Sequence, residues 1–187
     1  MLAHKTLRIL VTGAAGSGTS TLASALARNL EGTAIEADDF FWLLTDPPYR
    51  DKRPADERLV LAREALAGPR PIVMAGSVMC WGGEVEDAFD LIVFLRVPTP
   101  VRLERLRARE LARFGRVDEA FLKWAGDYDT GTEEGRSLSR HLAWIDARDT
   151  RKITLAGHQA VEQWVRLVLA ELAPMNCDTP ASSTHRG

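Results

Sequence analysis

The sequence predicts an α/β protein: a three-layer α/β/α sandwich around a mainly parallel sheet of about five strands, carrying a helical lid insertion. Three observations predict it. Short apolar runs recur without polar alternation, segments of helical periodicity separate them, and a glycine-rich turn joins the first run to the first helix. Residues 7–12 (LRILVT), 72–75 (IVMA) and 91–97 (LIVFLRV) read as strands covered on both faces, the pattern of a parallel sheet between helices. Residues 153–155 give a weaker strand and residues 33–37 a further one.

The helices have readable ends. Residues 19–30 carry Leu22, Leu26 and Leu30 at four-residue spacing, which is one helical stripe. The next helix begins near Pro54 and closes at Gly68, with Leu59, Ala62 and Leu66 on one face. Thr99 is expected to cap a third, with Pro100 at its first position. Residues 159–173 form the last helix, before a polar tail at 174–187 expected to be mobile. The stretch 116–140 is rich in glycine and charge and holds no strand, so a lid is drawn at about 113–140 inside one domain spanning residues 1–173.

Composition bounds the function. With 187 residues, 45% hydrophobic and 27% charged, the chain suits one globular domain. A net charge of −2 gives no general attraction to nucleic acid or to a membrane surface. Cys80 and Cys177 are too few and too far apart for a disulfide scaffold or a metal motif. Residues 1–5 lack a signal-peptide pattern and the run 91–95 is too short to span a bilayer, so a cytoplasmic protein is expected. The only lysines are Lys5, Lys52, Lys123 and Lys152; the other basic residues are arginines, whose planar forks suit phosphate.

The chemistry concentrates in the glycine-rich turn. Gly13-Ala14-Ala15-Gly16-Ser17-Gly18-Thr19-Ser20 follows a strand and opens a helix. Glycines there let the backbone curl round an anion with its N–H groups inward, and the helix N-terminus adds a favourable dipole. The spacing G-x-x-x-x-G-x-S matches the P-loop pattern, with Ser20 placed for Mg²⁺ and the backbone through Thr21 for phosphate. Thr19 stands where that pattern has lysine; its hydroxyl can donate to a phosphate oxygen but brings no charge. A dinucleotide site of the extended short-chain dehydrogenase type is the rival reading. Its last glycine comes one residue early here, and neither Tyr49 nor Tyr128 is followed four residues later by lysine.

Asp38 and Asp39 follow the strand at 33–37, at the carboxyl end where ligands of α/β sheets sit. Asp38 could take a proton from a substrate hydroxyl or orient Mg²⁺; a helix cap is the other reading. Among Phe40, Phe41 and Trp42, one ring could stack on a substrate rather than fill the core. Lys52 and Arg53 could hold a second anion or be surface charge. Arg102, Arg105, Arg109, Arg113 and Arg116 fall within about 80° of one another on a helix, with Leu103, Leu106 and Phe114 assigned to another face. Such a stripe repels itself unless anions lie along it, which makes its first members a candidate phosphate clamp.

Together GAAGSGTS with its helix, the Asp-Asp turn, FDLIVFLRVPTPVRLERLRARE, the lid-like insertion and the closing strand and helix resemble the P-loop small-molecule kinases, in particular nucleoside monophosphate kinases of the adenylate and cytidylate kinase type. The resemblance implies the P-loop NTPase fold and transfer of a phosphoryl group from ATP, with Mg²⁺, to a small acceptor such as a nucleoside monophosphate. It implies Arg105 and Arg109 as catalytic clamp residues beside Asp38, with Ser20 and Asp38 toward the metal. Asp39, Trp42, Arg53, Ser77 and Arg102 are the expected substrate contacts. Ala75, Gly76 and Ser77 occupy the strand end where many members have an acid, so Asp38 is expected to take that role. The alternative of another class is a nucleotide-binding protein without turnover.

Overall fold

The computed structural model describes residues 7–46, 48–131 and 136–173. The tail at 174–187, Cys177 and the centre of the expected lid at 132–135 lie outside the described residues. Five strands form one sheet, all pairs parallel, in the order β2-β3-β1-β4-β5. They are β1 (Arg8–Gly13), β2 (Thr33–Glu36), β3 (Ile72–Ala75), β4 (Leu91–Arg96) and β5 (Arg151–Ala156). The helices are α1 (Thr19–Asn29), α2 (Ala37–Phe41), α3 (Ala55–Leu66), α4 (Gly83–Glu86), α5 (Thr99–Phe114), α6 (Glu119–Gly126), α7 (Leu138–Asp146) and α8 (Val161–Leu172).

Strand pleating sorts the core into two layers. Ile9 and Val11 of β1 face one side with Val73, Val93 and Leu95, where α1 and α8 cover them through Leu22, Leu26, Trp164 and Val168. Leu10 faces the other side with Met74, Ile92 and Phe94, beneath α3, the β3–β4 connection and α7. Each such leucine, fully buried, contributes roughly 2 kcal/mol from apolar area removed from water. A third cluster joins Leu106 of α5 to Leu122 and Ala125 of α6, with Ala15 packed against it. The three-layer sandwich is therefore present, with α6 and α7 as the insertion between α5 and β5.

The order also separates the two glycine-loop readings. After β1 the chain passes over β3 to reach β2, and β4 lies on the opposite side of β1. The dinucleotide fold instead pairs its first strand with its second. In this order the carboxyl end of β1 is a switch point, where open α/β sheets place the crevice that takes a ligand, and residues 13–18 follow directly from that strand end.

Three local expectations change. Thr99 is the first residue of α5 rather than its cap: the flanking Pro98 has extended geometry and no side chain caps the helix. The Thr99 hydroxyl is taken up by Asp129 and Arg102. Asp38 and Asp39 are not caps either, but lie in the first turn of α2, where their charges meet the favourable end of the helix. The stripe on α5 is also divided. Arg102, Leu106 and Glu110 form its buried face, because four-residue spacing puts Leu106 above Arg102 rather than on a separate side.

Candidate active site

The loop is built by close packing. Gly18 has φ 92° and precedes α1 without any side-chain cap, so the first N–H groups of α1 have no side-chain acceptor in the loop. Gly16 has φ 80°, and a Cβ there would lie 2.6 Å from the carbonyl oxygen of Arg102. Only glycine lets α5 come that close. Ser17 is fully buried, and both its Oγ and its N–H donate to the Ala14 carbonyl, at 2.7 and 3.1 Å. It staples the turn. The expected phosphate contact from Ser17 is thereby corrected: neither of its donors is free. Ala14 is buried, while Ala15, Gly16, Gly18 and Thr19 are part-exposed and Ser20 and Thr21 exposed.

An acid unremarked in the sequence completes this end of the site. Glu36, the last residue of β2, accepts a 3.0 Å hydrogen bond from Ser20 Oγ. Burial pushes its carboxyl above the usual carboxylate range; the Ser20 bond pulls the other way, and the charges of Asp38 and Asp39 add to the rise. Asp38 and Asp39 themselves are exposed at the same strand end. Ser20 and Glu36 supply adjacent hard oxygen donors of the kind Mg²⁺ accepts. Among the described residues no group of three or more His, Cys, Asp or Glu side chains could hold a metal unaided.

The arginines take three different places. Arg105 lies over the loop, its Nη1 3.4 Å from the carbonyl oxygens of both Gly16 and Ser17 and 3.6 Å from the position of a Cβ on Gly18. Arg109, one turn further on, is exposed; its guanidinium sits 5.9 Å from the Phe121 ring of α6 and 3.9 Å from Glu110. Its described contacts are thus with α6 and its own helix. Arg102 is only 1% exposed and gives its whole fork to protein acceptors, so its expected role as a substrate contact is corrected. Arg113 reaches Tyr49.

Arg53 donates to the carbonyls of Phe40 and Trp42, tying α2 to the following loop. Trp42 packs edge-on to Phe41 and Tyr49. The Ser77 hydroxyl accepts from the Met79 N–H at 3.5 Å, at the end of β3. Arg58 of α3, which no sequence motif marks, lies 5.0 Å from the Phe41 ring and 4.9 Å from the Trp81 ring, and its buried Nε has no hydrogen-bond partner. Arg136, just before α7, rests over Trp124; burial lowers its pKa while the Asp38 carboxylate opposes that shift. Its place inside the glycine- and charge-rich stretch was the only sequence signal for it.

A family model described as the AAA domain matches residues 9–119, which hold the loop, the acidic strand end and α5. The uncharacterized protein YqaC of Bacillus subtilis (strain 168) is 37% identical over 147 residues, covering 73% of this chain and 81% of that protein. Among solved structures, a gluconokinase from Sinorhizobium meliloti 1021 aligns with TM-score 0.55 at 21% identity, covering 92% of this chain and 94% of its own. A shikimate kinase from Acinetobacter baumannii, in complex with shikimate, aligns with TM-score 0.58 at 13% identity over 91% of this chain and 95% of its own. At these identities the structural likeness concerns the fold.

Proposed function

The chain belongs to the AAA domain family, and on that premise we propose that it is an ATP-dependent phosphotransferase acting on a small acceptor. One observation carries the reading. The Ser20 hydroxyl and the Glu36 carboxylate meet at 3.0 Å beside a loop over which the Arg105 guanidinium is already poised. Phosphoryl transfer needs little covalent help from protein; it needs the phosphates held in line and their charge offset. Backbone N–H groups at Gly13, Ala14, Ala15, Gly16, Gly18, Thr19, Ser20 and Thr21, with the N-terminus of α1, hold the phosphate chain.

Ser20 and Glu36 would hold Mg²⁺ together with phosphate oxygens and water, with Asp38 close by; bound there, the ion supplies positive charge to the β and γ phosphates. Asp38 orients the acceptor hydroxyl and takes its proton. Arg105 supplies the mobile charge that Thr19 cannot, making this a P-loop whose cation comes from α5. Arg136 faces Asp38 from the insertion and closes the crevice on the acceptor side.

The acceptor side has its own chemistry. Arg58 is a cation held by two aromatic faces without a described anionic partner, so the acceptor carries an anionic group besides its hydroxyl. Nucleoside monophosphates belong to that class, and so do small hydroxy acids. The names of the fold neighbours, gluconokinase and shikimate kinase, support a small acceptor of the second kind. Thr19 favours one further reading, a nucleotide-binding protein that does not turn over. A coupled assay with Mg·ATP against nucleoside monophosphates and small hydroxy acids separates the two. The proposed enzyme transfers phosphate to one of them and loses activity in Glu36→Gln, whereas ATP binding with no transfer and no hydrolysis supports the second.

A further inference from the structure

We infer that Arg102 and His141 are positioning residues that set the geometry of the phosphate loop from the insertion side, so that loop and insertion root order as one unit. The inference takes from the proposed function only that the loop binds phosphate. Arg102 Nε donates to the Val97 carbonyl at 3.1 Å, and Nη1 donates to the carbonyls of Ala125 at 3.0 Å and Ala15 at 3.2 Å. Nη2 reaches Thr99 Oγ1 at 2.8 Å and Asp129 at 3.3 Å. A buried guanidinium is costly for packing alone, since every N–H must find an acceptor; a Met or Leu would fill the same space without that demand.

The Ala15 contact is the informative one. A trans peptide holds its C=O and the next N–H antiparallel. Pulling the Ala15 carbonyl toward α5 therefore turns the Gly16 N–H away from α5, toward the interior of the loop. The Arg105 contact on the Ser17 carbonyl does the same for the Gly18 N–H. The arginines thus fix which way the loop's donors point before any ligand arrives, the preorganisation that makes an anion site effective.

His141 holds the other end. It is fully buried, with Nε2 2.9 Å from Thr12 Oγ1 and Nδ1 2.9 Å from the Tyr128 hydroxyl. Thr12 immediately precedes Gly13, and the Tyr128 ring lies 5.5 Å from the Arg102 guanidinium. The buried Thr12, His141, Tyr128 and Arg102 close a circuit with the part-exposed Ala15, and the loop's first residues lie within it. Desolvation and Arg136 hold the His141 imidazole neutral, its pKa lowered to about 3, so the circuit is a fixed strut near neutral pH and not a proton switch. Any ligand that orders the loop must then also order residues 125–129, and the reverse follows by linkage.

Arg102→Lys keeps the charge but not the fork, and Tyr128→Phe keeps the ring but not the hydroxyl. Hydrogen exchange on the whole ligand-free chain should accelerate together in peptides 13–18 and 125–131 in both variants, with α8 unchanged. The dissociation constant of Mg·ATP by calorimetry should rise at least tenfold in Arg102→Lys and about two- to fivefold in Tyr128→Phe. If Arg102→Lys does not fold, Tyr128→Phe decides alone by the same two readouts. A folded variant with wild-type exchange in residues 13–18, or with wild-type affinity for Mg·ATP, overturns the inference. Joint exchange changes in a chain whose wild type binds no ATP would support the strut and sink the phosphotransferase reading instead.

Discussion

At the scale of single residues, Glu36 separates this site from a bare glycine turn. Replacing it by Gln keeps the Ser20 hydrogen bond but removes the charge, and should lower kcat by about 10²–10³ with little change in melting temperature. Burial raises the Glu36 pKa, so the carboxyl keeps its proton to higher pH than an ordinary carboxylate does. The acid limb of kcat/KM should therefore lie higher than an ordinary carboxylate would place it, and should vanish in Glu36→Gln. Arg105→Ala should cost about 10²-fold in kcat, and Arg105→Lys less, since a point charge at that position restores part of the function. His141 makes a prediction about stability. Its folded pKa of about 3 lies below its unfolded value near 6.5, so the unfolded chain takes up the proton first. The contribution, roughly 4–5 kcal/mol at most, is complete above pH 6.5 and is lost as pH falls toward 3. Urea denaturation across that range should show a weaker acid slope in His141→Gln; an identical slope would mean that His141 titrates normally. Much of this scale was hidden in the sequence. Glu36 reads as one more polar residue at a strand end, and only the approach of α1 brings Ser20 to it. Helical spacing also cannot say which arginine of a stripe turns inward, and Arg102 and Arg53 went to backbone carbonyls for reasons of packing.

At the scale of elements, the site depends on how tightly α5 lies under the loop. Gly16→Ala meets both a left-handed φ and a backbone oxygen at 2.6 Å, and should destabilise the fold by about 3 kcal/mol. Gly115→Ala, with φ 67° but open space around it, should cost only about 1 kcal/mol. Equal thermal or chemical denaturation of the two would mean that α5 does not approach Gly16 as closely as 2.6 Å implies. The main strands and α1, α3, α5 and α8 were legible because burial on both faces, leucine spacing and proline or glycine ends are local signals. The short helices α2 and α4 span five and four residues, too few to show a period. The helices of the insertion were hidden among glycines and charges, since their apolar faces meet only a small cluster around Leu106 and Leu122.

At the scale of the whole molecule, the order β2-β3-β1-β4-β5 places the carboxyl ends of β1, β2 and β3 side by side, so the loop, Glu36 with Asp38, and Ser77 lie at one end of the sheet. That convergence follows from long-range pairing and could be expected from the alternation of strands and helices, though no single motif encoded it. The circuit through Arg102 and His141 then attaches the insertion to the loop at that same end of the sheet. The central claim is that this crevice moves a phosphoryl group rather than only holding a nucleotide. Incubating the protein with Mg·ATP labelled at the γ phosphate and a small-molecule extract, then following the label, tests it most directly. The predicted result is label in one small anionic compound, absent when Glu36→Gln replaces the wild type. Label that stays in ATP, although ATP demonstrably binds, would contradict it.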